Sequence, residues 1–423
     1  MIEKPIEPTL SATSGVLVEQ PGRPGFRALR HRNYRLYMFG LVVSFTGTHM
    51  LLVAEAWLVY RLTDSALMLG LVGFLTMVPL APWTLVGGAL ADRIPRRRLL
   101  AITQLGQVLP PLLLAGLTFS NSVQVWHVVL VDLLMGALSA LDQPARQAMV
   151  VDTVPAEDRD SAVALSAAGF SLARVAGPLA AGLLVAAFGE AVCFAVDGLS
   201  FLAVAAALAA MRLPPDPRPA PRQRSLGMSL VDGGRYLMGE GAILTAIALI
   251  VVVNLFVVPY QTLLPVFARD ILSAGAVGLG LLGAAAGAGA VLGSLAVANL
   301  PGGWQLHRAA VLALAASMAA SGFAFSRSFL VSALMLVLTS GLVVALKILA
   351  ISVVQRQVRD DMRGRILSIV VLFDAGVPRL GGLAAGALAS GLGAPLALGL
   401  GAIGCAVSGL LIRLRMPRQR ELA

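Results

Sequence analysis

Apolar runs long enough to cross a lipid bilayer recur along almost the whole chain, separated by short polar gaps. A spanning helix needs about 20 predominantly apolar residues, because only a helix satisfies its own backbone hydrogen bonds where water is absent. Hydropathy predicts six spans at 36–59, 68–90, 99–119, 124–141, 162–187 and 191–211, and six more at 242–264, 275–298, 309–325, 329–354, 366–391 and 394–413. A dozen such spans take up roughly 240 positions, which leaves no room for a large soluble domain in 423 residues. Only 13% of the residues are charged, about half the share of a soluble domain. An all-α membrane protein follows.

The chain divides into a tail and juxtamembrane segment at 1–33, a six-helix half at 34–212, a linker at 213–241, a second six-helix half at 242–414 and a short tail at 415–423. The linker opens on PPDPRPAPRQR, where proline removes backbone donors and blocks a continuous helix. The first 25 residues are polar, rich in proline and glycine, and lack the apolar core of a cleavable signal peptide. They are expected to form a disordered cytoplasmic tail.

Charge sets the expected orientation. With the N-terminus in the cytoplasm, 26 of the 32 Lys and Arg residues fall in inside segments, and only Arg61, Arg269 and Arg327 fall outside. Positive residues resist translocation, so both termini are expected inside a bacterial inner membrane. The net charge of +10 therefore reports topology rather than a nucleic-acid partner.

Other function classes fall away on residue usage. Cys193 and Cys405 each sit in an apolar run, far apart in sequence, and read as small packing residues rather than a disulfide or CxxC pair. His49 is the one histidine clearly within a span, and a single histidine does not make a metal site. The only lysines, Lys4 and Lys347, lie in no phosphate-binding GxxxxGK[ST] loop, so ATP does not drive this chain. No cofactor is expected, and the energy has to come from an ion or substrate gradient.

Comparing the chain with itself at an offset of 204 aligns GPLAAGLLVAAFG (177–189) with GGLAAGALASGLG (381–393) and sets Arg159 against Arg363. This pairs span five with span eleven in the same orientation. Parallel repeats of this kind place a substrate site near the bilayer midplane, between the halves.

Charges inside spans are costly and face a cavity or a partner. Glu55, Asp132, Arg174, Asp197, Lys347, Asp374 and Arg379 are therefore the candidates for proton coupling or the substrate cavity. At 1.5 Å per residue, Glu55 falls in the outer part of span one, and Asp132 and Arg174 fall near midplane, within geometric reach of one another. For Asp197, Lys347, Asp374 and Arg379, locking helices together and serving transport both stay open. A carboxyl away from water favours its neutral form, so Glu55 and Asp132 suit proton exchange, or the binding of a cationic substrate when ionised.

The most specific motif is GALADRIPRRRLL at 88–100, which resembles the signature loop GxLADRxGRRxxL of the major facilitator superfamily. Gly88, Leu90, Asp92, Arg93, Arg96 and Arg97 match, and Pro95 replaces the usual glycine. The resemblance implies a major facilitator fold of twelve helices in two halves, and a cytoplasmic gate at Gly88, Asp92, Arg93, Arg96 and Arg97. Anchoring of topology is the alternative for Arg96 to Arg98. Arg174-Val-Ala-Gly177-Pro178-Leu-Ala-Ala-Gly182 is similar to the antiporter motif of span five, with Ala181 in place of one glycine. There Gly177, Pro178 and Gly182 suit either a flexing helix or close packing. Span four carries Asp132-Leu-Leu-Met-Gly136 where proton-coupled drug exporters have RxxxG. Gly136 is retained, the arginine has become an acid, and Asp132 is a candidate coupling residue.

Further segments resemble the enterobactin-exporter and macrolide-efflux branch of the superfamily. They are FRALRHRNYRLY (26–37), AWLVYRLTDSA (56–66), DQPARQ (142–147), LLPVFARD (263–270) and QRQVRDDMRGR (355–365). The branch implies a monomeric secondary exporter that exchanges protons for an amphipathic drug, siderophore or other secondary metabolite. A metal-ion exporter of the same superfamily and a non-transporting membrane receptor are the alternatives. An enzyme would need a catalytic cluster, and the sequence offers none.

Overall fold

The computed structural model describes residues 24–77, 94–212, 234–237, 239–298 and 305–415. A 3-10 turn at Pro24–Arg30 leads into the first half, made of α1 (Arg32–Thr63), α2 (Ala66–Leu75), α3 (Arg96–Phe119), α4 (Val125–Asp152), α5 (Arg159–Phe188) and α6 (Glu190–Ala210). The second half comprises α7 (Gly241–Ile271), α8 (Gly275–Ala298), α9 (Gln305–Phe325), α10 (Phe329–Gln357), α11 (Arg363–Leu392) and α12 (Ala394–Arg415). No strand occurs among the described residues.

Among the described residues, eleven helices are long and apolar enough to cross a membrane. The ten residues of α2 form a shorter apolar helix at the second predicted span, the rest of which lies outside the described residues. Several helices outrun their apolar stretches: α4 continues to Asp152 and α7 to Ile271. DQPARQ and LLPVFARD thus lie within helices rather than after them. Polar side chains there bond to neighbouring groups while the helix continues, in α7 through a π-helical turn at Phe267–Ile271.

Proline places the breaks. α3 is interrupted at Gln107–Val108, just before Pro110 and Pro111, and α7 at Val257–Pro259. A prolyl residue has no N–H to donate and crowds the preceding turn. Gly189 (φ 83°) and Gly393 (φ 84°) end α5 and α11 in the same left-handed geometry, where glycine alone is unstrained. The two positions are 204 residues apart, the same offset as the internal repeat.

The two most extensive crossings between the halves, among the described residues, are α5 against α8 and α2 against α11, and the repeat relates one crossing to the other. Small residues make both possible. A methyl group on Gly182 would lie 2.9 Å from the Gly280 Cα, and one on Gly70 would lie 2.6 Å from the Gly382 carbonyl oxygen. Backbones approach this closely only where side chains are missing.

The apolar core is divided unevenly. On the side that carries Arg32 and Arg415, each half has a separate cluster, around Tyr34, Leu99 and Val204 in the first and Ile250, Leu346 and Ile366 in the second. On the opposite, far side one cluster joins Leu58, Val128 and Phe194 of the first half with Leu263, Phe267 and Leu398 of the second. The halves therefore share a core only away from the termini.

Candidate functional site

Between the halves lies a cavity of about 550 Å³, lined by residues of α1, α2, α5, α7, α8, α10 and α11. That volume suits a drug-sized molecule. Much of the wall is apolar, including Leu52, Val53, Pro178, Val258 and Leu279.

The antiporter-like stretch of α5 forms part of this wall, and its small residues serve different neighbours. A methyl on Gly177 would meet His49 Cβ at 2.6 Å, so this glycine seats α5 on α1. Gly182 and Pro178 instead face α8, whose Gly280, Gly283 and Gly287 form the complementary surface. Among the described residues, nothing lies within 4 Å of a methyl added at Gly136 on α4.

The intramembrane charges gather into two groups and one single residue. In the first half, the buried carboxyl of Glu55 on α1 lies within hydrogen-bonding range of that of Asp132 on α4, with Asp197 on α6 close enough to act through its field. Glu55 Oε1 and Asp197 Oδ2 have no hydrogen-bond partner, and Asp197 Oδ1 receives only a long bond of 3.4 Å from Thr48 Oγ1. The cation that acts on Asp132 is Arg379 of α11, in the other half. A direct Asp132–Arg174 pair, which the sequence left within reach, does not form. Arg379 is steadied by the Ala375 carbonyl at 2.5 Å and by Thr76 Oγ1 at 3.3 Å.

In the second half, Lys347 of α10 pairs with Asp374 of α11 at 2.7 Å, and Asn254 of α7 donates to the same carboxylate oxygen at 3.0 Å. Arg174 belongs to neither group and lines the cavity. Its field reaches His49, Tyr260 and Asp374.

Of the gate residues named from the signature loop, Gly88, Asp92 and Arg93 lie outside the described residues. Arg96 pairs with Asp152 of α4 at 2.8 Å. Arg97 donates to the Leu208 carbonyl at 2.7 Å, at the C-terminus of α6, where a cation offsets the exposed carbonyls.

Three features were not visible as functional residues in the sequence. On the far side, Tyr60 of α1 hydrogen-bonds Asp270 of α7, while Arg269 pairs with Asp64 at 2.6 Å and lies 5.2 Å from the centre of the Tyr60 ring. On the termini side, Asp142 is fully buried and receives bonds from Gln104 at 2.7 Å and Arg146 at 2.5 Å. The third is the glycine face of α8. DQPARQ and LLPVFARD contain the acids of the first two, but as motifs they name no partner. Among the described residues, no group of three or more His, Cys, Asp or Glu side chains is gathered so as to hold a metal ion.

Two repeated membrane halves enclosing a midplane cavity define a secondary transporter of the major facilitator fold. The chain matches the transmembrane secretion effector family over residues 24–423 and belongs to it. It is 28% identical over 400 residues to the enterobactin exporter of Escherichia coli O1:K1, covering 92% of this chain and 94% of that one. It is 22% identical to macrolide efflux protein A of Streptococcus pyogenes, over 80% of this chain and 86% of that one. With the staphyloferrin A transporter of Staphylococcus aureus it shares 25% identity over 54% of this chain, spanning 57% of that protein. Among solved structures, a bacterial homologue of the lysosomal transporter Spinster in an inward-facing, unoccupied conformation superposes with a TM-score of 0.72 at 13% identity, covering 90% of this chain and 96% of that one. A nucleoside transporter superposes at 0.71 and 12% identity, over 91% of this chain and 100% of that one; at such identities the likeness concerns the fold alone. The protein is thus a multi-pass membrane transporter of small molecules rather than an enzyme.

Proposed function

We propose that this transporter is a proton-coupled exporter of an amphipathic small molecule, working as a monomer by alternating access in a bacterial inner membrane, with both termini in the cytoplasm. The orientation is supported by the 26 basic residues on the termini side, and the direction by the relatives named as an enterobactin exporter and a macrolide efflux protein.

One observation carries the coupling: the paired carboxyls of Glu55 and Asp132 beside the cavity, with a cation of the opposite half acting on Asp132. Two carboxyls in hydrogen-bonding range form a site that takes up and releases a proton as a unit. Arg379 ties that event to the other half. A change in the charge of the pair alters the attraction across the interface, so protonation favours one packing of the halves over the other. In this reading Asp92, Arg93, Arg96 and Arg97 close the cytoplasmic side in the alternate state. Arg96 then leaves Asp152 to do so.

Everted vesicles carrying an imposed pH gradient and a fluorescent xanthene dye test the assignment. Glu55→Gln and Asp132→Asn are expected to lower gradient-driven dye movement at least about tenfold, the scale of losing one proton-transfer group. Unchanged gradient-driven flux in both variants refutes the assignment.

A further inference from the structure

The geometry points to an anionic group on the transported molecule, held by Arg174. This deepens the transport reading of the cavity and rests on it.

Among the described residues of the cavity wall, Arg174, Lys347 and Arg379 are cations and Asp374 is the one acid. Two of the cations are engaged. Lys347 holds Asp374 at 2.7 Å. Arg379 donates to Ala375 and Thr76, and Asp132 acts on it from behind the wall. Lys347 and Asn254 both bind Asp374 Oδ1, so the charge of this carboxylate is already matched within the wall. Among the described residues Arg174 has no hydrogen-bond or ion-pair partner, and it is exposed to the cavity at the middle of α5.

An arginine with no directly bonded counter-ion in the middle of a membrane span is an expensive arrangement that water in the cavity offsets only while the cavity is open. Closure removes that water, so a loaded, closed state is stabilised when the cargo brings the missing negative charge. The guanidinium supplies five donors in a planar fork that matches a carboxylate, sulfonate or phosphate edge in two parallel bonds. Tyr260, close enough to feel its charge, is part of the same cavity lining. The apolar wall around Leu52, Val53 and Leu279 receives the remainder of the molecule. The cargo is therefore an organic anion with a substantial apolar body.

The position of Arg174 also connects cargo to movement. Its backbone carbonyl is where α5 meets Gly287 of α8, and a methyl on that glycine would lie 2.7 Å from the carbonyl oxygen. An anion drawn to Arg174 therefore sits at the crossing that joins the halves.

The test uses two xanthene dyes of similar frame and opposite charge, fluorescein and rhodamine 123, with the purified full-length protein in detergent. Fluorescence polarisation is read for the wild type, Arg174→Gln and Arg174→Lys, with melting curves to show that all three fold. Fluorescein is expected to bind about tenfold more tightly than rhodamine 123, and Arg174→Gln to lose about that tenfold, the scale of one charge-assisted contact. Arg174→Lys is expected to retain most of the preference. Tighter binding of rhodamine 123, fluorescein binding indifferent to Arg174→Gln, or binding of neither dye overturns the proposal. The vesicle assay separates this result from the coupling reading. Arg174-dependent fluorescein binding together with flux that ignores the pH gradient upholds the anion site and overturns proton coupling.

Discussion

Tyr60, near the far end of α1, donates its hydroxyl hydrogen bond to Asp270 at the end of α7, and so ties the two halves together on the side away from the termini. Beside it Arg269 reaches back to Asp64, which ends α1 in a left-handed conformation at φ 48°. Both ties cross between halves, and the shared apolar core lies beneath them. On the termini side, by contrast, the His31–Asp158, Arg96–Asp152 and Arg359–Asp361 pairs each stay within one half.

Removing the far-side ties with the double variant Tyr60→Phe, Asp64→Asn is expected to favour opening of that side. A hydrogen bond contributes about 1 kcal/mol net, and an exposed ion pair less than about 1 kcal/mol. Together they shift the equilibrium about tenfold. Spin labels at Leu62 and Ser273 measure it: the long-distance population grows in the variant, and an identical distance distribution would discount the latch.

Gly280 and Gly136 are expected to respond to alanine in opposite ways. A methyl at 280 would lie 2.5 Å from the Pro178 carbonyl oxygen and 2.7 Å from Gly182 Cα, both backbone atoms that cannot swing aside. Overpacking of this kind costs about 1–3 kcal/mol. At 136 the added methyl meets no described residue within 4 Å, and alanine improves on glycine in a helix by about 1 kcal/mol. Melting temperatures of the purified variants should fall for Gly280→Ala and hold or rise for Gly136→Ala.

Lys347→Met is expected to be worse than Lys347→Met combined with Asp374→Asn. The single change strands a carboxylate inside the membrane span, whereas the double change removes both charges. Asp374 has 45% of its side chain exposed to the cavity, so the loss is set at about 1–2 kcal/mol, below the 3–5 kcal/mol of a fully buried pair. Recovery of melting temperature in the double variant is the sign to look for. An additive double variant would mean that the two charges do not depend on one another.

Asp142 and Asp152 both meet an arginine near the same end of α4, yet only one is expected to matter to stability. Asp142 is fully buried and also accepts from Gln104 and Gln107, so Asp142→Asn disrupts several bonds at once and costs about 2–4 kcal/mol. Asp152 and Arg96 are each 40% exposed, and Asp152→Asn changes stability by less than about 1 kcal/mol. Equal unfolding midpoints for the two variants would contradict this ranking.

Hydropathy is local in the chain, which is why the spans, and with them the class of protein, could be read without a fold. The repeat was legible for a related reason: the offset of 204 recurs in structure as two left-handed glycines, Gly189 and Gly393, that end equivalent helices. The shortlist of charges was legible too, because any ionised group within an apolar run is conspicuous.

Which of those charges meet could not be read. Asp132 lay within sequence reach of Arg174, but the folded chain sets it beside Glu55 and under the influence of Arg379 from the other half. The glycines of α8 divide in the same way: Gly280, Gly283 and Gly287 receive α5, while Gly289 and Gly293 receive α10. In a helix that is apolar all round, no polar stripe marks which face turns inward. The sequence by itself therefore determined the membrane class, the approximate placement of the spans, the internal repeat and the charges that lie within apolar runs. Only the tertiary structure decided which charges pair, which glycines meet and where the cavity lies, because these depend on how each helix is rotated about its own axis, and that rotation is set by packing against its neighbours.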